Sequence, residues 1–181
     1  MSNLVDLQGK NLIFIGDVHG QYKKLTALLT HLNFDVNDAN SQVASATLVF
    51  VGDLIDNSFE NNPDHIATLT LVKSLVDKGL AYCIMGNHEL NAIAWATPSA
   101  TKDGWLRPHS DNNLKQHAAF LDDVTAGSLV HQEWIYWFKT LPLYLDFGFV
   151  RCIHACWNAS SIEQLQQYIN ADNSLINQYW P

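Results

Sequence analysis

The sequence predicts an α/β fold built around a sheet that is covered on both faces. Short runs of consecutive apolar residues, typical of buried strands, alternate with segments whose apolar residues recur at helical spacing. Several of these runs end at a glycine that is followed by acidic, amide or imidazole side chains. Binding residues in such sheets collect where the strands end, so these side chains predict a site at one edge of the sheet.

The first apolar run, residues 11–15, predicts a buried strand. A helix is predicted next, at 21–32, because leucines recur along one of its faces. These leucines are Leu25, Leu28, Leu29 and Leu32. Residues 33–46 are rich in Asn, Asp and Ser and predict a surface loop. The apolar residues 47–51 then predict the second strand.

A second helix is predicted at 63–78. Pro63 suits its first turn, where a missing backbone N–H is tolerated, and Gly79 suits its C-terminal end. Residues 80–85 are again apolar and predict the third strand. Strands that alternate with helices in this way are typical of a parallel sheet.

The second half of the chain is less regular. Residues 97–129 contain prolines, glycines and basic residues, and they predict a loop-and-helix excursion over the rim of the site. Aromatic residues at 132–140 predict a short helix, and residues 143–147 and 149–153 predict a β-hairpin. A last helix is predicted at 160–169.

Composition restricts the function classes. The net charge of −8, from 18 acidic and 10 basic residues, argues against a nucleic-acid polymer as partner. A nucleotide substrate stays open, because bound metal ions can reverse the local charge. The odd number of cysteines predicts reduced thiols and a cytoplasmic location. No apolar stretch approaches the ~20 residues that span a membrane. Without repeats or a linker, residues 1–181 are expected to form one domain.

Four apolar runs end in polar motifs. The motifs are Gly16-Asp17-Val18-His19-Gly20, Gly52-Asp53-Leu54-Ile55-Asp56, Gly86-Asn87-His88-Glu89 and His154-Ala155. Mixed carboxylate, amide and imidazole donors suit Mn, Fe, Zn or Mg better than copper or a thiolate zinc site. Asp53 has two carboxylate oxygens, so it can bridge two cations. The motifs therefore predict a pair of divalent ions that activates a water for attack on a phosphate ester.

Each motif also has a structural alternative. Asp17 and His19 can cap the helix that follows them. Asp53 and Asp56 can form an Asx-type turn. A lone histidine at a strand end, such as His154, can be a satisfied core residue. The repetition of similar donors in four motifs favours the metal site over these alternatives.

The ordered motifs resemble those of the calcineurin-like metallophosphoesterase superfamily, and in particular its bacterial branch related to diadenosine tetraphosphatases and Ser/Thr protein phosphatases. The resemblance covers residues 11–160, most of the chain. It implies a four-layer αββα sandwich and two divalent metal ions. Mn²⁺ is the expected ion, with Fe, Zn, Mg and Ni as alternatives.

The resemblance also implies a role for each motif residue. The metal ligands would be Asp17 and His19 for the first ion, Asp53 as the bridge, and Asn87 and His154 for the second ion. His88 would be the general acid that protonates the leaving oxygen. Asp56 would orient His88 by a hydrogen bond and keep it protonated near neutral pH.

Two departures from the family pattern stand out. The family has Asp-Arg-Gly after the second motif, with the arginine holding the substrate phosphate, whereas this chain has Asp56-Asn57-Ser58. Asn57 can still donate a hydrogen bond to substrate, and Arg107, Lys102 or Lys115 can supply the charge. Asn57 and Arg107 are the expected substrate contacts. The family also carries a further metal-binding histidine, but no histidine follows His154. Water or another residue fills that position, or the chain is a C-terminally truncated member.

The expected function is hydrolysis of a phosphoester by a water that two metal ions activate, with a phosphoprotein or a nucleotide polyphosphate as substrate. The alternative is a catalytically weak or inactive family member that binds metal or a partner. Glu89 is expected to be structural, and Trp95 and Trp105 are candidates for stacking a nucleobase. His31, His65 and His131 are expected at the surface of helices. His109 and His117 lie in the excursion, where substrate contact is open to them, but the surface is favoured for both.

Overall fold

Three parallel strands form the sheet that positions the candidate site. The computed structural model describes residues 4–5, 11–34, 46–56, 63–101 and 103–180. Its parallel strands are β1 (Asn11–Ile15), β2 (Ala46–Phe50) and β3 (Ala81–Cys83), in the order β1-β2-β3. Ile15 pairs with Phe50, and Phe50 pairs with Cys83, so the three strands end at the same edge. The first three polar motifs therefore leave the sheet side by side.

Two helices connect these strands and cover one face of the sheet. They are α1 (Tyr22–His31) and α2 (His65–Asp77). Asp64 caps α2 by accepting a 2.8 Å hydrogen bond from the backbone nitrogen of Ala67, so α2 begins after the predicted Pro63. Their buried side chains join those of the central strand in one apolar cluster that includes Leu25, Leu29, Leu48, Phe50, Leu69, Val72 and Leu75. This burial is the main favourable term that holds the helices on the sheet.

A two-stranded antiparallel sheet packs on the opposite face. Its strands are β4 (Tyr144–Asp146) and β5 (Arg151–Ile153), which confirms the predicted hairpin. A buried cluster joins the two sheets and consists of Val49, Ile84, Leu145, Phe147 and Cys152. The outer face of the hairpin buries Tyr144 against Ile162 of α6 (Ala159–Leu165). The layers thus stack in the order expected for the αββα fold, namely α1 with α2, the parallel sheet, the hairpin and α6.

Three more helices lie between β3 and β4. They are α3 (Asn87–Ala96), α4 (Asp111–Val124) and α5 (Leu129–Lys139). The predicted aromatic helix corresponds to α5, and the predicted excursion contains α4, whose N-cap is Ser110. The sequence motifs gave no prediction of α3, which begins directly at the third motif. A short 3-10 helix, Asn177–Tyr179, lies near the end of the chain.

The predicted boundaries agree with these elements to within four residues. Ala46, predicted in a loop, begins β2, and the last helix ends at Leu165 rather than at 169. Residues 35–45 of the predicted surface loop lie outside the described residues. Across the described ranges, no helix is both long and apolar enough to cross a membrane.

Candidate metal centre and general acid

The loops after β1 and β2 contain strained backbone and are bonded to each other. His19, Asp53 and Asp56 have φ values of 49°, 52° and 63°. This left-handed region is uncommon for residues other than glycine, and strained residues of this kind cluster at functional sites. The backbone nitrogens of Val18 and His19 both donate to the carbonyl oxygen of Asp53, at 2.9 and 3.1 Å. The first and second motifs therefore form one rigid unit.

Glycine allows the third motif to approach the second at backbone contact. A Cβ atom on Gly86 would collide with the backbone nitrogen and the carboxylate of Asp53, and a Cβ on Gly52 would collide with Gly86. A side chain at either position would push the two loops apart. The two glycines thus set the distance between the second and third motifs.

Glu89 links the second and third motifs by hydrogen bonds in the protein interior. Its carboxylate is fully buried and accepts hydrogen bonds from the backbone nitrogens of Asp53 (2.9 Å), Leu54 (2.8 Å) and Gly86 (2.9 Å). Burial raises the pKa of Glu89, and these three bonds offset part of that rise. The prediction that Glu89 is structural is confirmed, because its carboxylate satisfies three buried backbone donors of the two loops.

The predicted metal ligands converge. Asp17, Asp53 and His154 each offer a ligand atom, and these atoms all lie within 4.8 Å of one another. Nε2 of His154 lies 3.3 Å from Oδ2 of Asp53 and 2.8 Å from Oδ1 of Asn87. The side chains come from the ends of four different strands, and together they offer carboxylate, amide and imidazole donors. These donors fit a hard or borderline divalent cation.

Both candidate histidine ligands are oriented through their other ring nitrogen. Nδ1 of His154 lies 2.7 Å from the carbonyl oxygen of Val51, and Nδ1 of His19 lies 2.8 Å from that of Ile55. A carbonyl oxygen only accepts, so each Nδ1 must carry a proton, and Nε2 is the ring nitrogen left to bind a metal ion when the ring is neutral. Nε2 of His19 in turn lies 3.8 Å from Oδ2 of Asp17. This arrangement is the one metal-binding histidines adopt.

The candidate acid lies beside this cluster. Nδ1 of His88 is 3.2 Å from Oδ2 of Asp56, and Nε2 of His88 is 3.9 Å from Oδ2 of Asp53. Burial alone would lower the pKa of His88, but the hydrogen bond to Asp56 and the neighbouring carboxylate charges outweigh it and raise that pKa. Burial would raise the pKa of Asp56, but hydrogen bonds with His117 and His88 outweigh it and lower that pKa. A charged His88 can therefore give up the Nε2 proton while Nδ1 keeps its own proton and donates it in the hydrogen bond to Asp56.

Three histidines expected at the surface are buried, so those predictions are wrong. His65 and His117 are fully buried, and His131 is 5% exposed. Nδ1 of His65 lies 2.6 Å from Oδ2 of Asp123, and Nδ1 of His117 lies 2.9 Å from both oxygens of Asp56. His31 and His109 are exposed, as predicted.

Helical spacing could have identified the buried histidines. Each precedes buried residues by three, four or seven positions and so lies on the inner face of its helix. On α4, for example, His117 precedes Phe120, Leu121 and Val124, all of which are buried. The polar character of histidine concealed this pattern.

Arg107, the candidate substrate cation, is only 8% exposed. Its Nη2 donates to Oε1 of Gln116 at 2.8 Å, and its buried Nη1 has no partner among the described residues. Burial lowers the pKa of Arg107, and the charge of Asp56 partly opposes this effect. The other substrate candidate, Asn57, and the basic Lys102 lie outside the described residues.

The two rim tryptophans enclose a histidine. The ring of His109 stacks on Trp95 at 3.6 Å and on Trp105 at 4.9 Å, with interplanar angles of 16° and 10°. Trp95 is buried beneath this stack, whereas Trp105 is partly exposed. The face of Trp95 that a nucleobase would use is therefore covered by His109.

Comparison with known proteins agrees with this geometry. Residues 10–172 match the sequence model of the calcineurin-like phosphoesterases. The chain belongs to this family. The match includes all four polar motifs, and the family resemblance predicted from them is confirmed.

The chain is similar to two curated relatives and shares its fold with a solved structure. It is 33% identical over 132 residues to the symmetrical bis(5'-nucleosyl)-tetraphosphatase of Buchnera aphidicola, covering 72% of this chain and 37% of that protein. It is 33% identical over 155 residues to the asymmetrical bis(5'-nucleosyl)-tetraphosphatase PrpE of Bacillus velezensis, covering 82% and 57%. The chain thus spans less than two thirds of either relative. The cold-active protein-tyrosine phosphatase of a psychrophilic Shewanella species shares the fold, with a TM-score of 0.52 at 18% identity, over 92% of this chain and 49% of that one.

Proposed function

We propose that this chain is a metal-dependent phosphoester hydrolase that acts on a nucleotide polyphosphate. The observation that carries the proposal is the convergence of Asp17, Asp53 and His154 to within 4.8 Å, next to the buried acid His88. Two of the relatives are bis(5'-nucleosyl)-tetraphosphatases, which favours a nucleotide substrate over a phosphoprotein.

Five side chains would hold the metal. We assign Asp17 and His19 to a first divalent ion, Asp53 to a bridging position, and Asn87 and His154 to a second ion. Two divalent ions in such a site activate a water as the nucleophile and neutralise charge on the phosphate. Mn²⁺ is our proposed native ion. The carbonyl oxygens of Val51 and Ile55 hold the two imidazole rings in place while substrate binds.

The chain's own contribution to bond cleavage is the proton of His88. The nucleophile would be a hydroxide, formed when the water loses one proton to solvent. As its oxygen bonds to phosphorus, the bond from phosphorus to the leaving oxygen breaks, and Nε2 of His88 would give its proton to that oxygen. Asp56 keeps the ring oriented by its hydrogen bond to Nδ1, at 3.2 Å. General acid catalysis of this kind contributes roughly 10²–10⁴-fold to a rate.

Substrate phosphate would be held by Arg107 and Asn57. The Nη1 of Arg107 has no partner among the described residues, and we propose that it donates to a phosphate oxygen of the substrate. A charged donor is stronger than the neutral amide of Asn57, which stands where the family has an arginine.

Hydrolysis of bis(5'-adenosyl) tetraphosphate tests the proposal. Wild-type protein with Mn²⁺ should release mononucleotides, and EDTA should abolish this release. Asp53→Asn should lose both metal and activity, whereas His88→Asn should retain metal but lose roughly 10²-fold or more in kcat. Asp77→Asn, a surface change on α2, is the control and should match wild type.

The alternative function gives a different result. A catalytically inactive member would bind Mn²⁺ with wild-type stoichiometry yet leave both the dinucleotide and p-nitrophenyl phosphate intact. An active wild type whose rate is unchanged by His88→Asn would reject the role assigned to His88.

A further inference from the structure

We infer that His117 is a positioning residue for the acid His88 and acts on it through Asp56. This inference rests on the proposed function of His88. His117 lies outside the four polar motifs, on helix α4 of the rim excursion. His117 is distant from these motifs in sequence and meets the second one, at Asp56, in the folded protein.

The carboxylate of Asp56 is shared by two imidazoles. His117 places Nδ1 at 2.9 Å from both oxygens, and His88 places Nδ1 at 3.2 Å from Oδ2 alone. A single contact from His88 would leave the carboxylate free to rotate about its Cβ–Cγ bond. The two-oxygen contact of His117 fixes the plane of the carboxylate and therefore the direction in which Oδ2 faces His88.

Burial makes this second contact necessary. The side chains of Asp56 and His117 are both fully inaccessible to solvent. A buried carboxylate accepts hydrogen bonds only, so Nδ1 of His117 must carry the proton that it shares with Asp56. If His117 were removed, no bulk water could replace the lost donor without opening the packing around it.

Aromatic packing holds the ring of His117 itself. Trp95 contacts it edge-on, with centroids 5.5 Å apart, and Phe120 packs against it at 5.3 Å. Trp95 lies on α3, the helix whose first turn carries His88. Through its hydrogen bonds to Asp56, His117 on α4 thereby helps to set the orientation of the His88 ring.

A comparison of leaving groups distinguishes positioning of the acid from a general structural role. Phenyl phosphate releases a strongly basic oxygen that needs a proton, whereas 2,4-dinitrophenyl phosphate releases an oxygen that does not. A misplaced His88 slows the first reaction and spares the second. A distorted metal site slows both equally.

The variants are chosen by the donor they retain. His117→Asn keeps an N–H near the position of Nδ1, whereas His117→Gln moves it away and His117→Phe removes it. His131→Phe is the matched control, because His131 is also buried and packs on Phe120, at 5.9 Å, without being one of the two imidazoles on Asp56. All proteins are assayed as the full chain loaded with Mn²⁺.

We expect His117→Phe and His117→Gln to lower kcat for phenyl phosphate by roughly 10-fold or more and to leave 2,4-dinitrophenyl phosphate within about 2-fold of wild type. His117→Asn should recover most of the loss, and His131→Phe should show none of this selectivity. In a His88→Asn background, His117→Phe should add nothing. Equal losses on both substrates, or an additive loss in that background, would overturn the inference.

An NMR measurement tests the inference even if the wild type shows no turnover or one variant does not fold. The Nδ1 proton of His88 should give a resolved downfield resonance in wild type, His117→Asn and His131→Phe, and should broaden by solvent exchange in His117→Gln and His117→Phe. If His117→Phe does not fold, the comparison of His117→Gln with His117→Asn decides. An unchanged His88 resonance in His117→Gln would overturn the inference, whether or not the wild type is active. A wild type that hydrolyses no substrate would reject the proposed function, which is a separate result.

Discussion

The backbone nitrogen of His88 donates a 3.0 Å hydrogen bond to Oδ1 of Asp53. This bond gives the two oxygens of the carboxylate different surroundings. Oδ1 is held by the first turn of α3, while Oδ2 lies 3.3 Å from Nε2 of His154 and 3.9 Å from Nε2 of His88. The proposed bridging ligand and the proposed acid are thereby fixed relative to each other by the main chain.

Gly86→Ala should disrupt this arrangement, because its Cβ would collide with Asp53. We expect a loss of about 1–3 kcal/mol in the free energy of unfolding, together with weaker Mn²⁺ binding. Denaturant unfolding and metal titration measure the two effects. Gly16→Ala is the matched control: it also follows a strand, but no atom lies within 4 Å of the position that its methyl group would occupy. Equal behaviour of the two variants would show that the close approach of the loops is unimportant.

Glu89→Ala should be among the most destabilising single substitutions. It would leave three backbone N–H groups without the carboxylate that they share. Each buried donor without a partner costs about 1–3 kcal/mol, so a loss of about 3 kcal/mol or more is expected in denaturant unfolding. Glu163→Ala, on the exposed face of α6, should change stability by less than about 0.5 kcal/mol. A similarly small effect of Glu89→Ala would show that the hydrogen bonds from Glu89 to the two loops do not stabilise the fold.

Asp56 should make stability depend on acid pH. Hydrogen bonds with His117 and His88 place the pKa of the folded carboxyl below its ordinary value. Its ionised form therefore stabilises the fold above about pH 4, and this contribution is lost as the pH falls below that toward the folded pKa. In metal-free protein, the difference in unfolding free energy between wild type and Asp56→Asn should shrink over this range. A difference that stays constant or grows would contradict the lowered pKa.

Arg107→Met tests the proposed phosphate contact. Loss of a charged donor to phosphate should raise KM for bis(5'-adenosyl) tetraphosphate by roughly 10-fold or more. Arg151→Met is the control, because Arg151 is exposed and pairs with Asp146 at 3.2 Å. Circular dichroism verifies that both variants fold. Equal KM values for the two variants would remove Arg107 from the substrate site.

The sequence predicted the parallel strands, the hairpin and the residues that converge at the strand ends. These features depend on local patterns: apolar runs for the strands and polar motifs directly after them. Asp17 and Asp53 could be grouped because the ends of parallel strands meet at one edge, whereas His154 follows the antiparallel strand β5 and was grouped with them through its His-Ala motif.

Features that depend on packing between distant elements were not predicted. Helical spacing can indicate the burial of His117, but its contact with Asp56 depends on how α4 packs, and nothing next to either residue in sequence indicates this contact. Arg107 carries a charge that favours the surface, yet its guanidinium bonds to Gln116 in the interior. α3 was missed because its first turn is the third motif, whose glycine and asparagine resemble a turn.

The number of Mn²⁺ ions bound per chain tests the central proposal most directly. Equilibrium dialysis with elemental analysis, combined with electron paramagnetic resonance, should give two ions per wild-type chain with a spin-coupled spectrum, and Asp53→Asn should lose the coupling. Binding of no ion, or of isolated ions that Asp53→Asn leaves unchanged, would contradict the account.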